Sequence, residues 1–186
     1  MDLKSYFRFP MYEFSDPHIT MATKQDMPEL LALLNGSYRG EYSKKGWTTE
    51  ADLIEGNTRI DENGLSLVLE KPGSVLLKYT DEDDGIIACV NLQKHNGRIY
   101  LGLLGVSPNH QDHGIGKHLL QASEEYARQE NCRSIYMSVI TLRSELIYWY
   151  FRHGYQDTGE RKPFHEDSVS GKHARPLEFM ILQKQL

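Results

Sequence analysis

The stretch Val106-Ser-Pro-Asn-His-Gln111-Asp-His-Gly114-Ile-Gly116-Lys117 has residue types and spacing suited to chemistry. It joins an apolar segment to an amphipathic one. Glycines at 114 and 116 let the backbone come close to a ligand. A helix start leaves N–H groups without intrahelical partners, and the helix dipole adds positive potential there. The matching chemistry is anion binding, with a diphosphate as natural occupant and His113 and Lys117 as added charge. The same composition also serves a plain strand-to-helix turn. Two other phosphate motifs do not fit. A dinucleotide fingerprint needs Gly-x-Gly-x-x-Gly, and Leu119 stands at its third glycine. The P-loop pattern does not occur. His110, His113 and His118 crowd the stretch, but Asp112 is the only nearby carboxylate and the spacing matches no zinc pattern, so no metal is expected.

The elements that must position this loop are readable. Ile19-Thr-Met-Ala reads as a short strand, and Thr23 or Asp26 can cap the helix after it. Met27, Leu30, Leu31 and Leu34 share one helical face, which Asn35-Gly36 is expected to end. Residues 37–64 are polar and aromatic, with a short helix expected after Thr48 or Thr49. Strands are expected at 74–79, 86–93 and 98–106, joined by Asp81-Glu-Asp-Asp-Gly85 and His95-Asn-Gly97 turns. Gaps this short predict an antiparallel meander. Ile115, Leu119, Ala122 and Tyr126 predict a long helix. A strand over 134–140, a helix over 142–153 stopped by Gly154, and a strand over 177–182 complete the order β-α-α-βββ-α-β-α-β. The fold class is mixed α/β: one α+β mixed sheet, an antiparallel meander followed by an α-β-α-β half, with helices on both faces.

Length and composition bound the rest. The chain has 186 residues, enough for one domain with a sizeable core. Residues 1–17, with Tyr6, Phe7, Phe9, Tyr12 and Phe14, read as an aromatic N-terminal arm ahead of a single domain over 18–186. The arm packs on the domain or on a partner chain, so a homodimer is one expectation. With 39% hydrophobic residues the chain folds rather than staying disordered. A net charge of −5 argues against a nucleic-acid binder. Two cysteines, Cys89 and Cys132, build no disulfide framework and fit a reducing cytoplasm. No apolar run or signal-like start points to a membrane.

With these elements in place, Val-x-Pro-x-x-Gln-x-x-Gly-x-Gly resembles the acetyl-CoA pyrophosphate loop of the GNAT superfamily of N-acetyltransferases. That family's pattern is Arg/Gln-x-x-Gly-x-Gly/Ala after its fourth strand, and Gln111, Gly114 and Gly116 stand in register. Tyr150-Phe-Arg-His-Gly154-Tyr155 is similar to the family's Tyr-x-x-x-Gly-Phe/Tyr segment. The resemblance covers roughly residues 19–186. It implies transfer of an acetyl group from acetyl-CoA to a primary amine by direct attack of the neutral amine on the thioester. Backbone groups of Leu104 and Val106 would meet the pantetheine arm. The loop from Gln111 through Asp112, His113, Gly114, Ile115 and Gly116 to Lys117 would bind the pyrophosphate. Tyr150 would be the general acid, since a phenol with an ordinary pKa near 10 carries its proton at neutral pH. The strand over 99–106 lacks the carboxylate that many members place there, leaving Glu41, Glu50, Glu70, Glu145 and His95 as base candidates, or no dedicated base. Arg143 stands where members often carry Asn.

The region over 36–60 is expected to shape the acceptor pocket, with Tyr38, Arg39, Glu41 and Trp47 as candidate contacts. An acidic pocket would suit a cationic amine; Arg39 would instead suit a carboxylate-bearing acceptor. The acceptor is expected to be a small molecule. Alternatives are another acyl-CoA donor, a peptide or protein amine, and a non-catalytic CoA-binding module.

Overall fold

The structure, a computed structural model, describes residues 12–83, 85–166, 169, 171–173 and 175–186. Chain order is β1 (Ile19–Met21), α1 (Met27–Tyr38), α2 (Gly40–Ser43), α3 (Glu62–Glu70), β2 (Ser74–Thr80), β3 (Ile86–His95), β4 (Arg98–Val106), α4 (Ile115–Gln129), β5 (Ser134–Ile140), α5 (Ser144–Arg152), β6 (Gln156–Pro163) and β7 (Glu178–Gln185). The strands form one sheet in the order β1-β2-β3-β4-β5-β7-β6. All neighbouring pairs are antiparallel except β4 with β5.

The meander is as expected. Its β3–β4 turn puts Asn96 and Gly97 at φ 48° and 72°, the double left-handed geometry that matches strand twist in a tight hairpin. Central strands β2 and β3 are buried on both faces. Leu77, Ala88, Val90 and Leu92 pack with Leu119, Tyr126, Ile147 and Tyr150 from α4 and α5. On the other face Leu76 and Cys89 pack with Leu30, Leu34 and Leu65 from α1 and α3. The helices therefore cover both faces.

Three local expectations need correction. Helix α1 does not stop at Asn35-Gly36 but runs on to Tyr38. The Asn35 side chain, instead of capping, donates to Ile60 O at 3.0 Å and accepts from Ile60 N at 3.0 Å. Gly36 is small for another reason: a Cβ there would meet the Tyr42 ring at 3.2 Å. No helix follows Thr49; its hydroxyl accepts from Ala51 N at 3.0 Å, but the chain makes only a turn at 50–54. Helix α3 comes later, capped by Asp61, whose carboxylate accepts from Gly64 N at 2.8 Å. Strand β6, absent from the sequence reading, pairs with β7 while every one of its residues is exposed.

Of the aromatic arm, Tyr6, Phe7 and Phe9 lie outside the described residues. Residues 12–17 run along α4. Tyr12 Oη donates to Glu130 at 2.5 Å, Ser15 Oγ to Glu125 at 2.6 Å, and Asp16 pairs with His118 at 2.7 Å. The Tyr12 ring lies 4.8 Å from the Tyr126 ring.

Candidate active site

Two features of β4 open a cleft in the sheet. First, β4 and β5 pair only at Ile99↔Ile135 and Tyr100↔Tyr136, then diverge. Second, β4 bulges against β3: Cys89 faces Gly105 while Asn91 faces Gly102, with Leu103 between at φ 48°. The cleft leads into a cavity of about 550 Å³. Its walls come from β4, the loop after it, the first turn of α4, β5, α5 and the segment after α1.

The loop after β4 lies at the cavity mouth. Asp112 and Gly114 hold φ 64° and 81°, so the chain reverses twice before α4 begins at Ile115. Gly114 caps the helix, whose first N–H groups have no intrahelical partner. Nothing lies within 4 Å of where a Cβ on Gly114 would sit, so the concavity is open to a ligand. The Gln111 side chain fixes the loop: Nε2 donates to Val106 O at 3.1 Å, and Oε1 accepts from Trp47 N at 2.9 Å. His113 Nδ1 donates to Gln111 O at 2.7 Å. Gly116 lies against Trp149, whose ring would be 3.3 Å from a Cβ there.

Tyr150 reaches the cavity from α5 and is 4% exposed. Burial, then the nearby phenols Tyr38 and Tyr155, push its pKa well above the ordinary tyrosine value, so the phenol stays protonated. Tyr38 also lines the cavity, and its hydroxyl donates to Leu104 O at 2.7 Å. That carbonyl, like the Val106 carbonyl held by Gln111, is partly engaged within the chain.

A matched family model describes the same elements: the acetyltransferase (GNAT) family, over residues 27–155. The chain belongs to that family. Three solved structures agree in fold. One is ribosomal-protein-alanine N-acetyltransferase from Brucella melitensis, with a TM-score of 0.68 at 21% identity, covering 90% of this chain and 99% of that one. Another is the ribosomal-protein-S18-alanine N-acetyltransferase from Escherichia coli, at 0.67 and 12%, covering 90% and 92%. The third is nourseothricin acetyltransferase, at 0.63 and 17%, covering 90% and 96%. A search of curated protein sequences found no match.

In this acetyltransferase the cavity gathers most of the candidate residues: Leu104, Val106, Gln111, Asp112, Gly114, Ile115, Gly116, Lys117, Tyr150, Tyr38 and Trp47. His113, Arg39 and Glu41 are not on its wall. Glu41 has an 89% exposed side chain and pairs with Lys44 at 2.8 Å. Arg39 is 2% exposed and forms a very short ion pair with Glu50. Glu50 also accepts from Arg143 Nη1 at 2.9 Å, and Arg143 Nη2 donates to Thr48 at 2.7 Å. Burial alone would raise the Glu50 pKa; Arg143, Arg39 and Arg59 outweigh it and hold the carboxylate below its ordinary range.

This charge arrangement bears on the missing base. Among the five candidates only Glu50 lines the cavity, and its arginines make it a weak proton acceptor. Glu70 pairs with Lys24, Glu145 accepts from Thr48 at 2.9 Å, and His95 sits at the β3–β4 turn. No cysteine lines the cavity, and burial pushes the Cys89 thiol up to about 12. Sequence reasoning missed Arg59, Arg152, His153 and Trp149, all on the wall. Nothing in their local patterns marked them, because loop contacts and helix orientation bring them in.

Proposed function

We propose that the acetyltransferase moves an acetyl group from acetyl-CoA to the primary amine of a small molecule by direct attack. The observation that carries this is the pairing of an open anion-binding loop with a buried, protonated tyrosine on the same cavity wall. Acetyl-CoA supplies the thioester, whose C–S bond breaks as the N–C bond to the amine forms.

This chain's residues do the rest. N–H groups from Gln111 to Lys117 hold the pyrophosphate, with Lys117 adding charge. The open edge of β4 beyond Tyr100 receives the pantetheine arm through its backbone. Tyr150 gives its phenolic proton to the sulfur leaving group and regains one from the ammonium formed at nitrogen, directly or through water. The amine loses its proton without a strong carboxylate base, so it reacts from its neutral form. Trp149, packed on Gly116, ties the tyrosine's helix to the anion loop.

Calorimetry with acetyl-CoA is the test, on wild type and Gly116→Trp. A large side chain at 116 has no room beside Trp149. Micromolar binding by wild type that disappears in the folded variant is the expected result. No binding by folded wild type would overturn the reading.

A further inference from the structure

Beyond the loop, the cavity carries a second set of charges that the transfer chemistry does not use. Helix α5 touches the first turn of α4 at Trp149, so its other end, with Arg143, lies about 9 Å farther along the helix axis. There the described residues set three guanidinium groups, Arg39, Arg59 and Arg143, around one carboxylate, Glu50. Arg39 and Arg143 pair with Glu50. Arg59 forms no ion pair with any described carboxylate. Its guanidinium lies 5.4 Å from the centre of the Tyr38 ring, on the cavity wall. Arg143 is only 8% exposed, and its Nε has no hydrogen-bond partner among the described residues. Asp112, the other carboxylate on the wall, is on the anion loop. Arg59 is half-buried, and a guanidinium partly withdrawn from water with no carboxylate of its own gains from an anion that joins it.

We infer that the acceptor amine carries an oxoanion, a carboxylate or a phosphonate, which Arg59 binds beside Tyr38. This rests on the acetyltransferase reading and names the acceptor class at that site. Guanidinium suits the role because its planar donors match two oxygens of either group. The ring of Tyr38 holds the guanidinium in place by stacking. The sequence alone suggested Arg39 for a carboxylate; Arg39 is spent on Glu50, and Arg59 takes the position facing the cavity.

The test uses the full chain saturated with CoA, so that the anion loop is filled first. Four amines of matched length are then titrated by calorimetry: β-alanine, 3-aminopropylphosphonate, propylamine and 1,3-diaminopropane. β-Alanine or the phosphonate should bind at least tenfold tighter than propylamine, and the stronger of the two identifies the anion. Arg59→Gln should abolish that preference with CoA affinity unchanged, and Arg59→Lys should keep part of it. Equal or tighter binding of propylamine or the diamine, no binding by any of the four, or an unchanged preference in Arg59→Gln would overturn the inference. So would a loss of CoA affinity in Arg59→Gln, since the arginine would then serve the donor. Failure of wild type to bind CoA is read before any amine is added and sinks the acetyltransferase reading itself.

Discussion

Tyr150 and Glu50 are both buried and titratable, and their surroundings push them in opposite directions. Burial keeps the Tyr150 phenol neutral, whereas the arginines keep Glu50 ionised. Tyr150→Phe is expected to lower kcat about 10²-fold while leaving acetyl-CoA affinity intact, the loss typical of a removed proton donor. With no strong base on the wall, log kcat/KM should rise with pH up to the pKa of the chosen amine. No falling limb from Tyr150 should appear below about pH 10. A plateau near neutral pH, independent of the amine, would instead point to a titrating base. Glu50→Gln removes the carboxylate with which Arg39 and Arg143 pair and should cost about 3–5 kcal/mol in urea unfolding. Because folding lowers the Glu50 pKa, its stabilisation is complete above the ordinary glutamate value of about 4.3 and disappears as pH falls through the lower, folded value. An acid titration of wild-type stability against Glu50→Gln reads this difference directly.

The anion loop shows what an element owes to its backbone. At Gly114 an added Cβ meets no atom within 4 Å, yet φ is 81°. Gly114→Ala should therefore cost about 1–2 kcal/mol through conformation alone, seen as a lower Tm, with no steric clash to relieve. Much of this framework was legible in the sequence, because strands β4 and β5 alternate or run apolar between clear turn residues, and Gly114, Gly116 and Gly154 mark helix ends. Other parts were not. Strand β6 exposes all its residues, so no apolar period announces it. Helix α3 has only Leu65 fully buried, although Asp61 before Leu65, Val68 and Leu69 was a readable start. The far end of α1 was hidden because Asn35-Gly36 resembles a stop while actually serving Ile60 and Tyr42. At the site, residue types were legible but their partners were not: that Arg39 is locked and Arg59 faces the cavity depends on contacts across 11 and more residues of chain.

At the level of the whole molecule, residues 12–17 spend their side chains on α4 of the same chain. A chain lacking residues 1–17 should lose about 1–3 kcal/mol of stability, from a few hydrogen bonds and the Tyr12–Tyr126 contact. Its acetyl-CoA affinity and its elution volume should not change; a shift to a smaller species would mean that the arm joins two copies. Among the described residues no helix is long and apolar enough to cross a membrane. The two borders of the sheet have a further consequence. On one side the sheet ends at β1, three residues long; on the other it ends at β6, which carries Asp157, Glu160, Arg161 and Lys162 and closes on Pro163. Unpaired strand borders invite other chains to add on, and brevity, charge and proline each discourage it. Crowded at high concentration, copies of this protein meet two sheet borders that each resist the addition of a further strand, which disfavours the seeding of a fibril there.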